Sequence, residues 1–271
     1  MCRFYPPRGP RLSRRAFGGG LLAAAVQPVL PDCMRPSASG LLEPALRLAV
    51  PEGAPHTVAL TLDACGGQTD HRIIDTLLAL AVPATIFATG LWLTANPQTV
   101  ALFRTRPDLF SLQNHGERHL PAVLSPVGSE RRVFGLPVAG TPEAVRREVE
   151  RGADAVEASG VRRPRWYRGA AGLYSPEAVA EIRTTDVWIA GYSLNADAGA
   201  SLPAASVSRR IQAARTGDVI VAHINQPHRP SGAGVAGGIA ALKQAGVVFM
   251  MLEDVQVTPL TCRVHGGAPG A

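Results

Sequence analysis

From about residue 56 onward, short apolar runs alternate with segments whose apolar residues recur at helical spacing, and this alternation points to a parallel sheet wrapped by helices. Strands are expected over 58–62, 84–88, 110–113, 166–168, 187–191, 219–222 and 247–252. Between them, Ile73, Ile74, Leu77, Leu78 and Leu80 share one helical face, as do Val145, Val149 and Val156 around the charged run Arg146-Arg147-Glu148-Val149-Glu150-Arg151. Thr141-Pro142-Glu143 and Ser175-Pro176-Glu177 each combine an N-cap, a first-turn proline and an acid suited to the helix dipole, which marks two helix starts. Seven βα units are one short of the usual eight-stranded barrel. The expected fold class is therefore α/β, a distorted (β/α)7-type barrel of parallel strands.

In folds of this kind, loops at the carboxyl ends of the strands carry the chemistry. The polar residues falling there are Asp63, His115, Arg168, Asp197 and His223. His115-Gly116-Glu117-Arg118-His119 sets two imidazoles four residues apart, and a helical segment would project both from one face toward one ion. Gly116 stands where a zincin carries its glutamate, so that motif is excluded. Asp63 ends an apolar strand and precedes Gly66-Gly67, a pair that permits a tight turn and close approach of a ligand. Residues 121–140, rich in Pro, Gly and Ser, make a long connection after the histidines and are expected to bind substrate or act as a lid.

The formal net charge is +6, but Arg3, Arg8, Arg11, Arg14 and Arg15 supply five of those charges. The remainder is nearly neutral, which argues against a nucleic-acid partner. Ser13-Arg14-Arg15-Ala16-Phe17 precedes an apolar stretch too short to cross a bilayer, so residues 1–25 are expected to be a twin-arginine export signal, with no transmembrane segment. Residues 26–55 are expected as a linker, 56–256 as the catalytic domain and 257–271 as an unstructured tail. Export implies an oxidising compartment, periplasmic or extracellular, where Cys33, Cys65 and Cys262 could form at most one internal bridge.

Taken in order, these motifs resemble the polysaccharide deacetylases of carbohydrate esterase family 4, the NodB-type domain. Thr61-Leu62-Asp63 is similar to the start of the family's first motif, Asn114-His115 to His119 to its metal motif, Arg168-Gly169-Ala170-Ala171-Gly172 to its arginine motif, and Val221-Ala222-His223 to its last. The resemblance implies a divalent ion, typically Zn2+, held by His115 and His119, which polarises the acetyl carbonyl and activates water. It also implies Asp63 as general base, Arg168 as its partner, His223 as general acid and Asp197 as the group steadying His223. Asn114 and Gly172 are the expected substrate contacts, and a backbone N–H in the 170–172 turn an oxyanion donor.

The chain departs from the family where a second aspartate should ligate the metal: Ala64 stands there, within a variant motif Asp63-Ala64-Cys65-Gly66-Gly67. Asp70 is the expected third ligand, with Cys65 or Asp63 as alternatives and with a helix-capping role for Asp70 equally open. The expected activity is removal of N-acetyl groups from an N-acetylglucosamine polymer such as peptidoglycan. The alternatives are an O-acetyl esterase on the same scaffold and a polysaccharide-binding domain without catalysis. Trp92, Tyr174 and Tyr192 are the candidates for stacking on sugar rings, and His228 is the additional histidine placed to reach substrate.

Overall fold

The computed structural model describes residues 34–254 and the backbone of 263–264. The segment expected to direct export, Cys33 and Cys262 lie outside the described residues. Three short strands come first: β1 (Met34–Pro36), β2 (Leu42–Pro44) and β3 (Arg47–Leu48). The βα series then runs β4 (Thr57–Ala64), α1 (His71–Leu80), β5 (Ala84–Ala88), α2 (Gly90–Ala95), α3 (Pro97–Thr105) and β6 (Phe110–Asn114). A small hairpin, β7 (Arg132–Val133) and β8 (Leu136–Pro137), leads to α4 (Pro142–Ala158), β9 (Trp166–Tyr167), α5 (Pro176–Ile182) and β10 (Trp188–Ile189). The described chain closes with β11 (Leu194–Asn195), α6 (Ala204–Gln212), β12 (Val219–His223), α7 (Ser231–Gln244), β13 (Val248–Met250) and β14 (Arg263–Val264).

The parallel strands lie in the order β10-β9-β6-β5-β4-β12-β11, with β13 beside the start of β4, and curl into a half-barrel flanked by helices. The two end strands, β10 and β11, are consecutive in sequence. Pro44 and Ala45 lie against the connection that joins them, so close to Gly191 that a Cβ there would meet the Pro44 carbonyl at 2.4 Å. The sheet is left open at this seam, where β10 and β11 do not pair and the N-terminal segment lies against the connection between them.

Strand parity decides what faces the barrel interior. Along β4, Val58, Leu60, Leu62 and Ala64 pack into the apolar layer beneath the helices, while Ala59 packs inward against Phe87, Trp166 and Val219. Thr61, Asp63 and Cys65 follow on that inner side. Register then levels the ends: Asp63 pairs with His223 and Phe87, Ala88 with Asn114, and Asn114 with Tyr167. The residues one step further, His115 and Arg168, therefore emerge at the same carboxyl-end mouth.

Helix starts follow the sequence signals. Thr141 Oγ1 accepts from Ala144 N at 3.2 Å and Ser175 Oγ from Ala178 N at 3.4 Å, each followed by a first-turn proline. Such caps stabilise a helix by about 1 kcal/mol each.

Three expectations change. Residues 34–48 are not a linker: Leu41, Leu42, Leu46 and Leu48 are buried, and bridges run from Leu42 to Tyr174, Ala45 to Tyr192 and Arg47 to Asp218. Within the expected tail, Arg263–Val264 pairs with Arg47–Leu48. An eighth strand in the main sheet, β11, was hidden because Leu194-Asn195 is too short to show a period.

Candidate active site

The mouth of the half-barrel opens into a cavity of about 870 Å3 whose floor carries Asp63, Cys65, His115, His119, Arg168 and His223. Arg168 is almost wholly buried and donates from Nη1 to Asp63 Oδ1 and Thr61 Oγ1, both at 2.8 Å, and from Nη2 to the Gly191 carbonyl at 3.0 Å. Its guanidinium lies 4.2 Å from the centre of the Phe87 ring. Burial alone would push the Asp63 carboxyl up. The Arg168 charge, with His115, His223 and the hydrogen bond from Arg168, outweighs it and holds the group below its ordinary value.

His115 Nδ1 lies 2.6 Å from the Arg168 carbonyl, an acceptor, so Nδ1 carries a proton and Nε2 is the nitrogen turned to the cavity. That nitrogen faces Cys65 Sγ at 3.5 Å. His119 brings its ring to 4.9 Å from His115, centre to centre. One donor atom each from Cys65, His115 and His119 lie within 4.8 Å of one another. Burial works against the Cys65 thiolate, yet His115, with His119 and His223 hydrogen-bonding nearby, drives the thiol well below its usual value. On the opposite side, His223 Nδ1 is 3.0 Å from Asp197 Oδ1, and the His223 amide donates to Asp197 Oδ2 at 2.7 Å. Burial opposes the imidazolium, but the Asp197 hydrogen bond and charge, together with Cys65, raise His223 well above the normal histidine range.

The polysaccharide deacetylase family profile matches residues 51–188, just over half of the 271-residue chain. The chain belongs to the polysaccharide deacetylase family. A search of curated protein sequences finds no significant match. Among solved structures, the chain is similar to the peptidoglycan deacetylase PdaC from Bacillus subtilis, at 20% identity over 74% of this chain and 89% of that one, with a TM-score of 0.57. It is similar to a family 4 carbohydrate esterase from Streptomyces lividans in complex with acetate, at 17% identity over 73% and 94% of the two chains, TM-score 0.57. It is also similar to a family 4 pseudoenzyme from Bacillus anthracis, at 16% identity over 82% and 72%, TM-score 0.61. At these identities the likenesses establish the fold, a NodB-like barrel.

Against the deacetylase family's motifs, the structure groups Asp63, Arg168, His115, His119, His223 and Asp197 at one mouth and removes two expected members. Asp70 is the N-cap of α1. It accepts from Arg72 N at 3.2 Å and from Arg72 Nε at 2.8 Å, with 1% of its surface exposed, so it is engaged as a cap and is absent from the cluster. Asn114 points away from the cavity because parity turns it toward α4: its amide donates to the Val149 carbonyl at 2.8 Å and its oxygen accepts from Gly116 N, also at 2.8 Å. Gly172 does line the cavity.

The histidine pair is not on a helix. Residues 115–119 form an irregular turn with Gly116 and His119 both at positive φ, 89° and 63°. Glu148 staples that turn, accepting at Oε1 from Arg118 N at 2.9 Å and Leu120 N at 3.1 Å. A Cβ on Gly116 would meet Glu148 Oε1 at 2.3 Å. By sequence Glu148 belongs to the charged run 146–151, with no role at the site. The signal that could have found it is its place on the buried stripe Val145, Glu148, Val149, Gly152, Ala153, Val156.

Of the candidate sugar platforms, Trp92 and Tyr174 are buried, and the Tyr174 hydroxyl accepts from Gly169 N at 2.6 Å. Tyr192 lines the cavity but donates its hydroxyl to Glu43 Oε1 at 2.6 Å. His228 is exposed beside the cavity-lining Arg229 and is not itself among the lining residues. Glu43 and Phe134, both on the cavity wall, had been missed: one lay in the supposed linker and the other in a loop without periodicity.

Proposed function

We propose that the chain is an exported, metal-dependent N-deacetylase of an N-acetylglucosamine-type polysaccharide, with Cys65, His115 and His119 holding one divalent ion, most naturally Zn2+. The observation that carries this reading is the convergence of those three donors beside the paired Asp63 and His223. The donor set fits zinc: around a tetrahedral ion bound by nitrogen and thiolate, N and S lie about 3.5 Å apart, and Cys65 Sγ and His115 Nε2 are separated by 3.5 Å. Three protein ligands with a remaining open position is the pattern of catalytic zinc. Parity explains how the variant motif supplies its ligand. Ala64 faces the helix layer, and the next residue, Cys65, returns to the cavity.

Such an ion, when bound, supplies Lewis acidity that polarises a carbonyl and makes water a stronger acid. Asp63, held ionised and oriented by Arg168, accepts the proton of the water that attacks the acetyl carbon. His223 has Nδ1 committed to Asp197, which leaves Nε2 to donate its proton to the sugar nitrogen as the carbon–nitrogen bond breaks. The products are acetate and a free amine. An ester leaving group is an alcohol that needs less help from an acid, so the strong Asp197–His223 coupling favours the amide substrate over the O-acetyl ester.

The test is acetate release by the zinc-loaded chain from N-acetylated chitooligosaccharide and from acetylated xylan, with metal content measured on the same preparation. A stoichiometric ion and release from the chitooligosaccharide are expected. Release from xylan alone would replace the reading with the esterase, and a metal-free, inactive chain that binds the oligosaccharide would replace it with a binding domain. Export rests on Ser13-Arg14-Arg15-Ala16-Phe17 and is tested by fusing residues 1–33 to a reporter and locating it.

A further inference from the structure

The hairpin formed by β7 and β8 carries an aromatic residue that folding does not explain. Val133 pairs with Leu136 across a two-residue turn, Phe134-Gly135, with φ of 49° and 80°. Two successive positive φ values are the mark of a primed hairpin turn, a position that asparagine, aspartate and glycine fill at little cost and a bulky side chain fills under strain. Phe134 is nevertheless there, and 82% of it is exposed, so no packing offsets the strain. The hairpin beneath is firmly seated: Val133 is buried with Leu41 and Val123 and packs with Ala171 and Leu173 of the arginine-motif turn. Arg132 closes the turn by donating to the Gly135 carbonyl at 2.9 Å.

Phe134, Leu136 and Leu173 line the same cavity as Asp63 and His223. An exposed aromatic held in a strained conformation at the lip of a reaction cavity is a recognition element, since strain that persists without a packing reward collects at functional sites. We propose that Phe134 is a stacking platform for one pyranose ring of the polymer, at a subsite removed from the residue being deacetylated. The C–H face of a pyranose is apolar and weakly electropositive, which suits the electron-rich face of the phenyl ring. Glu43 and Arg229, elsewhere on the wall of the same cavity, offer polar groups to hydroxyls. A platform there adds affinity for a polymer with a further ring to place on it, and so favours longer chains.

This inference rests on the polysaccharide reading of the floor. The test is calorimetric titration of the full chain with the hexamer and the dimer of N-acetylglucosamine. Phe134→Ala is expected to weaken hexamer binding about 3- to 10-fold, the range that aromatic stacking supplies, with a smaller loss for the dimer, while Phe134→Trp keeps hexamer affinity. Phe134→Asn relieves the backbone strain, so it should raise the thermal midpoint while weakening hexamer binding, a pairing of signs that misfolding cannot produce. Hexamer affinity unchanged in Phe134→Ala, or lost equally for the dimer, overturns the platform. Acetate release by the wild type from the same hexamer separates the two readings. Release with Phe134-independent binding keeps the deacetylase and sinks the platform, whereas Phe134-dependent binding without release does the reverse.

Discussion

At the floor of the cavity, Asp63, His115, Arg168 and His223 come from four strands or the residues just beyond them, and each has a buried partner that leaves it one orientation. At the lip, Phe134 and Ala171 come from turns, and Leu136 and Glu43 from the short strands β8 and β2. Ala171 and Phe134 both sit at positive φ, 65° and 49°. The floor is specified by parity and register, so its groups can be moved only by shifting a whole strand. The lip is specified by local turns and can be redrawn one residue at a time. The proposed function puts reaction chemistry on the first kind of construction, and the proposed platform puts substrate choice on the second.

If that division holds, substitutions at the floor should cost orders of magnitude and those at the lip small factors. His119→Ala should remove both the ion and turnover, checked by metal analysis and acetate release. Asp63→Asn should keep the ion and lower kcat about 10^2- to 10^4-fold, the range for a lost general base. Equal metal loss in both variants would make Asp63 a ligand.

Glu148→Ala tests whether the histidine turn needs its staple. Removing the carboxylate leaves the Arg118 and Leu120 amides without their acceptor, and metal affinity should fall about 10- to 100-fold, as for other groups that orient ligands. Competition with a chromophoric chelator reads that loss.

Asp197→Asn sharpens the assignment of the acid. Asp197 raises His223, so the imidazolium persists through neutral pH and activity falls only as pH rises past that elevated value. Without the carboxylate the pKa drops, and the alkaline limb of kcat/KM should move to lower pH. An unmoved limb would assign the proton to another group. The smallest expected effect is the several-fold change in hexamer affinity at Phe134.

The same division governs what could be read from the residues. Floor residues such as Asp63, Arg168 and His223 were legible because they end apolar runs, and order along the chain became position around the barrel. Asp70 and Asn114 were misassigned for one reason: nearness to a motif says nothing about the face on which a side chain emerges. Asp70 is spent on the first turn of α1, and Asn114 is turned outward by the period of β6. Parity separates Cys65 from Ala64: two residues past Asp63, Cys65 keeps the cavity-facing side. The helical expectation for His115 to His119 failed because Gly116 and a staple from a distant helix, α4, set that backbone, and neither is a local periodicity. The strands over 34–48 escaped notice because each has only two or three residues and takes its order from the barrel seam it fills.

The proposed metal site is completed by Cys65, and Ala64 has no part in it. Cobalt-substituted protein measures this directly through the absorption of its thiolate-to-cobalt charge transfer. That band, at one ion per chain, is expected in the wild type, with its loss in Cys65→Ser alongside weakened binding and its retention in Ala64→Gly. A wild type that holds cobalt without the band, or a Cys65→Ser variant that binds as tightly as the wild type, would contradict it.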